Sequence, residues 1–505
     1  MKKWLFITLM AITSHSEADD IRVEGVTALK PVDVEEVLSK YQGTSIEIED
    51  VAAVINELNA LYRSKGYLNS GVVFPQQSKS ETIQLKAVEG VLSDINIAKI
   101  GRLKGRYIRK IIEREMGSVL NISQLRKAFN KLERQKTIDS VKGQLKSGSA
   151  QGQSVLDLEI IESDAFSIKV TANNYRSPSV GDEQLQVQLS HLNFTGNSDE
   201  LNLGINHTAG LDSGSIVYSF PINTIKSSLS VYYSSGDTVV VEEPFDAINI
   251  QSATDTTGIN LETRVIDALS HTLSASLGFD SKTSETTLLG LPYSFSQGSI
   301  NGESAAAIVT AGISYQYRTR QQALSIKVGW RKGIDILDAT IIPGGISDAE
   351  FDLFQLQATY VRLIEREVND WTFSLGFNSQ FTSDTLQSFE RYALGGHDSV
   401  RGFRENLVLK DEAWEVRAQL EIPVYINADT RFVMFPFIDA GRGTNTLVQP
   451  NVKQQVDLSS IGMGLRYHYA GLLLQLEWAS VLIADVQQDG SLQDDGIHLG
   501  LSYRF

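Results

Sequence analysis

His397, Asp398 and Ser399 supply, in three consecutive positions, the residue types of a nucleophilic triad. Neighbouring side chains do not converge on one reacting atom, so the stretch reads as loop polarity rather than catalytic machinery. The chain also lacks a Gly-x-Ser-x-Gly elbow, a Gly-Lys dipeptide for a phosphate loop and a His-Glu-x-x-His pair, and its seven histidines are scattered from His15 to His498. No catalytic set, metal or cofactor is expected. The chain has no cysteine, which excludes thiolate nucleophiles, thiolate metal sites and disulfides. The chemistry that the spacing does support is ion pairing. Gly395 and Gly396, then Val400, Arg401, Gly402 and Phe403, fall inside a long connection, 382–410, between two well-patterned strands. Connections of that length without structure of their own are functional or disordered, and glycines flanking an arginine and an aromatic suggest a loop that folds back and docks. A guanidinium held out of bulk water needs a carboxylate, and its fork matches one as lysine cannot. Asp439 shares strand parity with Phe435 and Phe437, opposite to Phe432, Met434 and Ile438, and so projects inward beside aromatics. Arg401 paired with Asp439 is the expected docking contact; a solvated loop with an incidental arginine is the alternative.

The elements that would hold these residues are strands. In 496–505, Ile497, Leu499, Leu501, Tyr503 and Phe505 alternate with His498, Gly500, Ser502 and Arg504. Only helices and closed barrels satisfy every backbone polar group in a bilayer, and this alternation is that of a lipid-facing barrel strand. Trp371, Phe373, Leu375 and Phe377 repeat the pattern, as do Trp414, Val416, Ala418, Leu420 and Ile422, and Leu472, Leu474, Leu476 and Trp478. Glu415, Arg417, Gln419 and Glu421 fall on the opposite face of the second of these. That face is too charged for a packed core, so the lumen should hold water or a plug, and a soluble sandwich would have to bury those charges. Strands of about ten residues with turns of similar length divide the chain after residue 165 into roughly 16 strands.

Before residue 165 the periodicity is partly helical. Residues 2–18 carry Lys2 and Lys3, a short apolar stretch and Ser16-Glu17-Ala18, so 1–18 is expected to be a secretory leader. Two modules of order β-α-α-β-β follow, over 19–92 and 93–164. In the first, a strand at 21–24 precedes a helix opened by Pro31 and a second with Val51, Val54, Ile55, Leu58, Leu61 and Tyr62 on one face, ended by Gly66; strands at 72–74 and 82–89 close it. In the second, Ser123 is the expected N-cap of a helix carrying Leu125, Phe129 and Leu132. The formal net charge of −16 argues against nucleic acid, although 99–146 holds 14 Lys and Arg against 4 Asp and Glu. That basic module could attract an acidic partner or anionic headgroups, or be a plain solvated face.

The chain resembles the two-partner secretion translocators of the ShlB/FhaC/HecB type, over essentially 19–505. The resemblance rests on 62–83, with Gly66-Tyr67 and Pro75-Gln76-Gln77; on Val88-Glu89-Gly90; on Val400-Arg401-Gly402-Phe403; on Phe437-Ile438-Asp439-Ala440-Gly441; on the stretch from Ser460 to Arg466; and on Phe505. It implies a transmembrane antiparallel β-barrel of 16 strands preceded by two small α+β POTRA domains. It implies further that Arg401 of a lumenal loop meets Asp439, with Phe437 and Gly441 beside it in the barrel wall. The partner would be a secreted passenger, a large β-helical adhesin or hemolysin, exported across the outer membrane of a Gram-negative bacterium. The other partners would be outer-membrane lipid and, during biogenesis, the barrel-assembly machinery, with Tyr503 and Phe505 as its signal. Two departures accompany it. No plug helix fits ahead of 21–24, which leaves gating to the 382–410 loop, and Lys146-Ser147-Gly148-Ser149 replaces a proline-glycine turn.

Passenger capture is expected by strand addition at an exposed edge, for which Val72, Val73 and Phe74 are the candidates, ordinary module core being the alternative. With no nucleotide site, directionality would come from passenger folding at the cell surface. An insertase of the same superfamily and a passive porin are the alternative functions.

Overall fold

Period-two patterning gathers the chain after residue 164 into sixteen antiparallel strands, counted among the described residues, that close on themselves. The computed structural model describes residues 20–505 apart from 43–45, 76–81, 223–225, 448–452 and 487–489. The expected leader, 1–18, and Gln76-Gln77 lie outside the described residues. The chain forms two compact units, Met1–Ser163 and Asp164–Phe505.

The first unit contains two β-α-α-β-β modules. Asp20–Glu24, Pro31–Leu38, Ile48–Ser64, Gly71–Val73 and Thr82–Val88 make the first, with Thr82–Val88 central in its sheet. Its core is Ile21, Val54, Leu58, Tyr62 and Leu85, the apolar faces that helix and strand periodicity select. Glu89 bolts the module together: the backbone N–H groups of Thr27 and Ala28 and the Tyr62 hydroxyl donate to Oε1 at 2.8 Å each, and the Thr27 hydroxyl donates to Oε2. Val91–Ile100, Gly105–Glu115, Ile122–Glu133, Ile138–Ser147 and Gln153–Glu162 make the second module around Ile108, Ile111, Leu132 and Leu156. Its second helix is capped by Asn121, whose side chain accepts from the Ser123 N–H at 2.9 Å; the expected cap at Ser123 is two residues too late. Both residue types cap helices, and only the backbone conformation separates them. Gly148 turns the last hairpin, its N–H donating to Gln153 O at 2.8 Å.

In the second unit, Phe166–Asn173 pairs with Ile497–Arg504 to close the cylinder, and Leu291–Pro292 is a two-residue excursion back onto His271–Leu288. Leu499, Leu501 and Tyr503 are each 42% exposed whereas His498 and Ser502 are 0% and 8%, so the alternation points apolar side chains outward. The connection between Trp371–Thr382 and Glu412–Ile426 carries structure of its own. It holds a 3-10 turn, Ser388–Glu390, and a hairpin of Tyr392–Leu394 with Val408–Lys410. The expectation of a structureless loop is corrected: three-residue strands are too short to show a period in sequence.

Candidate functional site: a loop docked on the barrel wall

Arg401 sits at the tip of this connection with its side chain only 5% exposed, beside an Asp439 carboxylate that is fully buried. Its Nε donates to Asp439 Oδ2 at 2.7 Å and its Nη2 to Oδ1 at 2.8 Å, a bidentate fork. The backbone N–H of Arg401 donates to the same Oδ2 at 3.2 Å, and Nη1 donates to Gln419 Oε1 at 3.0 Å. Glu477 adds a second carboxylate 3.6 Å from Nη1. The wall strands Glu412–Ile426, Thr430–Thr444 and Leu472–Ala484 each supply one of these acceptors. Phe437 lies under the guanidinium, 3.6 Å from Cζ to the ring centre.

Glycines make the close approach possible. Gly402 has φ +91°, and a Cβ there would stand 2.7 Å from Ala479 Cβ. A Cβ on Gly441 would meet Leu394 and Val400 at 2.9 and 3.0 Å. Gly395 and Gly396, at φ +106° and +109°, turn the backbone where other residues are strained. Val400 and Phe403 pack with Leu394, Val456 and Leu458 in a dry cluster that seats the loop. On the wall, Phe435 and Phe437 face Gly464 and Gly462 across the strand pair, and their rings fill the space left by the missing side chains.

The reading of His397 as loop polarity is also corrected. Its ring stacks on Tyr175 with centroids 3.8 Å apart and planes 5° apart, and Nδ1 lies 2.7 Å from Glu477 Oε2. Glu477 thus joins His397 and Arg401 on one wall residue, a link that sequence reasoning missed because strand parity gives a direction and no partner. Two more ion clusters fix the loop. Arg404 donates to Asp494 through Nε and Nη2 at 2.9 and 2.6 Å and to Glu242 through Nη1 at 2.8 Å. At the loop's base Asp411 accepts the Leu386 N–H at 3.0 Å and lies 3.2 Å from Arg391 Nε.

Of the other candidates, Val72 is buried while Val73 and Phe74 are 38% and 53% exposed. Their strand, Gly71–Val73, lies at an edge of its sheet, and Phe74 falls just beyond it. Tyr503 and Phe505 stack edge to face, centroids 4.6 Å apart, on the outward face. Among the described residues no group of three or more His, Cys, Asp or Glu is placed to hold a metal.

Comparison with known proteins gives two family matches. Residues 152–467 match the haemolysin secretion/activation protein family ShlB/FhaC/HecB, and residues 17–90 match the ShlB-type POTRA domain. The chain is 23% identical over 472 residues to the heme/hemopexin transporter protein HuxB of Haemophilus influenzae, spanning 86% of this chain and 78% of that one. It is 21% identical over 504 residues to the hemolysin transporter protein HpmB of Proteus mirabilis, spanning 96% and 86%. Among solved structures, CdiB from Escherichia coli superposes with a TM-score of 0.72 at 17% identity, covering 99% of this chain and 93% of that one.

Proposed function

This chain belongs to the haemolysin secretion/activation family ShlB/FhaC/HecB, outer-membrane transporters of the two-partner secretion type, and on that premise we propose that it exports one unfolded passenger protein through its barrel. The observation that carries the reading is the buried fork between Arg401 and Asp439, which holds the tip of the 383–411 connection against the barrel wall. A polypeptide crossing the pore must displace that tip from a defined docked position, so the loop gates export, and a tip that never docks leaves a leaky pore that no longer engages the passenger. The passenger enters from the periplasm as an extended segment and adds to the sheet edge at Gly71–Val73, where Val73 and Phe74 offer apolar contacts and the passenger takes the place of the Asn59 side chain, which now accepts the Val72 N–H at 2.6 Å. No nucleotide is hydrolysed, and folding of the passenger at the cell surface gives direction. By the family resemblance the passenger is a large adhesin or hemolysin, and the name of HpmB, a hemolysin transporter, supports the second. Barrel-assembly machinery recognises Tyr503 and Phe505 during biogenesis.

The test is secretion of the passenger by cells carrying Arg401→Ala. The variant is expected in the outer membrane at the wild-type amount, with most secretion lost. Wild-type secretion overturns the gating role of the loop.

A further inference from the structure

A further buried ion cluster anchors the loop to a different stretch of wall, and it does not use the Arg401 motif. Glu390, with a side chain 3% exposed, accepts from Lys282 Nζ at 2.6 Å and from Arg331 Nε and Nη2 at 3.1 and 3.3 Å. Lys282 and Arg331 project inward from the strands His271–Leu288 and Gln322–Ile334. Asp280 stands 3.6 Å from Arg331 Nη2 and accepts the Tyr232 hydroxyl. With the loop in place, two cations face two carboxylates. With Glu390 withdrawn, two half-dry cations face one carboxylate, and a buried unpaired charge is costly. Arg331, Asp280 and Tyr232 also line a polar cleft of about 580 Å³ running along the same wall.

We propose that Lys282 and Arg331 form a carboxylate-binding site in the pore wall, occupied by Glu390 while the loop is docked and by acidic side chains of the passenger once the loop leaves. The proposal rests on the reading that the loop moves for export. The ligand class follows from the occupant: the site already holds a carboxylate in a geometry that uses both its oxygens, and both cations point into the lumen, away from lipid headgroups. Glu390 is therefore an internal stand-in for the transported chain, and exchange of one carboxylate for another opens the pore without ever leaving the two cations bare.

The test uses the full chain in planar lipid bilayers. Glu390→Gln is expected to raise the open fraction about tenfold, the order of effect that loss of a charged hydrogen-bonded contact supports. Penta-glutamate should block the current of that variant at about tenfold lower concentration than penta-glutamine, and adding Lys282→Gln with Arg331→Gln should erase the difference. Glu390→Asp, which keeps the carboxylate, should stay closed like the wild type and controls for folding. A Glu390→Gln pore no more open than the wild type, or one blocked equally by both peptides, overturns the site. Either failure leaves the gating role of the loop standing as long as Arg401→Ala still loses secretion.

Discussion

Phe437 lies face-on beneath the Arg401 guanidinium, 3.6 Å from Cζ to the ring centre, while Asp439, two residues further along the same strand, grips that guanidinium edge-on. The loop arginine is held on its flat face and on its rim at once by one strand. Cation–π contact in a desolvated site contributes about 0.5–2 kcal/mol beyond the ion pair. Phe437→Leu keeps apolar bulk and removes the π face. We expect its pore to open several-fold more often in planar bilayers, with a smaller secretion loss than Arg401→Ala. Unchanged gating by the leucine variant would show that the ring is only packing.

The aromatics depend on glycines across the strand pair. A Cβ on Gly464 would lie 2.0 Å from the Phe435 ring, and neither backbone can yield within a closed ladder. Overpacking of that kind costs about 1–3 kcal/mol. Gly464→Ala should lower the temperature at which the folded barrel loses its fast gel migration, whereas Gly214→Ala, where the nearest atom is 4.0 Å away, should leave it unchanged. Equal stability of the two variants contradicts this account of the wall.

In the first module, burial alone would raise the Glu89 carboxyl, but hydrogen bonds from Thr27, Ala28 and Tyr62 hold it below the ordinary carboxylate range. A depressed carboxylate stabilises the fold above its unfolded value of about 4.3 and gives that contribution up as pH falls through the lower folded value. Hydrogen exchange at the Thr27 and Ala28 amides should therefore accelerate when pH is lowered from neutral to below 4, after correction for the intrinsic rate. Glu89→Gln should accelerate it at neutral pH, with a stability loss of about 1 kcal/mol, at the low end because water reaches the group. Protection that is independent of Glu89 would remove it as the bolt of the module.

The barrel was legible because its strands obey a strict local rule. Alternation in 412–426 assigns Glu415, Arg417, Gln419 and Glu421 to the lumen, and Glu415 is buried there and Gln419 meets Arg401. The same alternation turned Asp439 inward, and the glycine-arginine-aromatic spacing marked the segment that reaches it. Pairings that join distant parts of the chain left no such trace. Glu390 and Lys282 are 108 residues apart, His397 and Glu477 are 80 apart, and nothing in either local sequence names the other. His397 misled because triad logic asks what neighbouring residues share, whereas its partners Tyr175 and Glu477 come from other strands and loops. Asn121 was passed over for Ser123 because capping chemistry is common to both.

The most direct test of the account is a double-mutant cycle on export itself, comparing Arg401→Ala, Asp439→Ala and the pair at equal amounts in the outer membrane. If the two residues act through each other, removing the second after the first costs nothing more, and all three variants should show the same secretion loss within about twofold. Losses that multiply, or wild-type secretion by either single variant, would contradict the claim that export requires this buried contact.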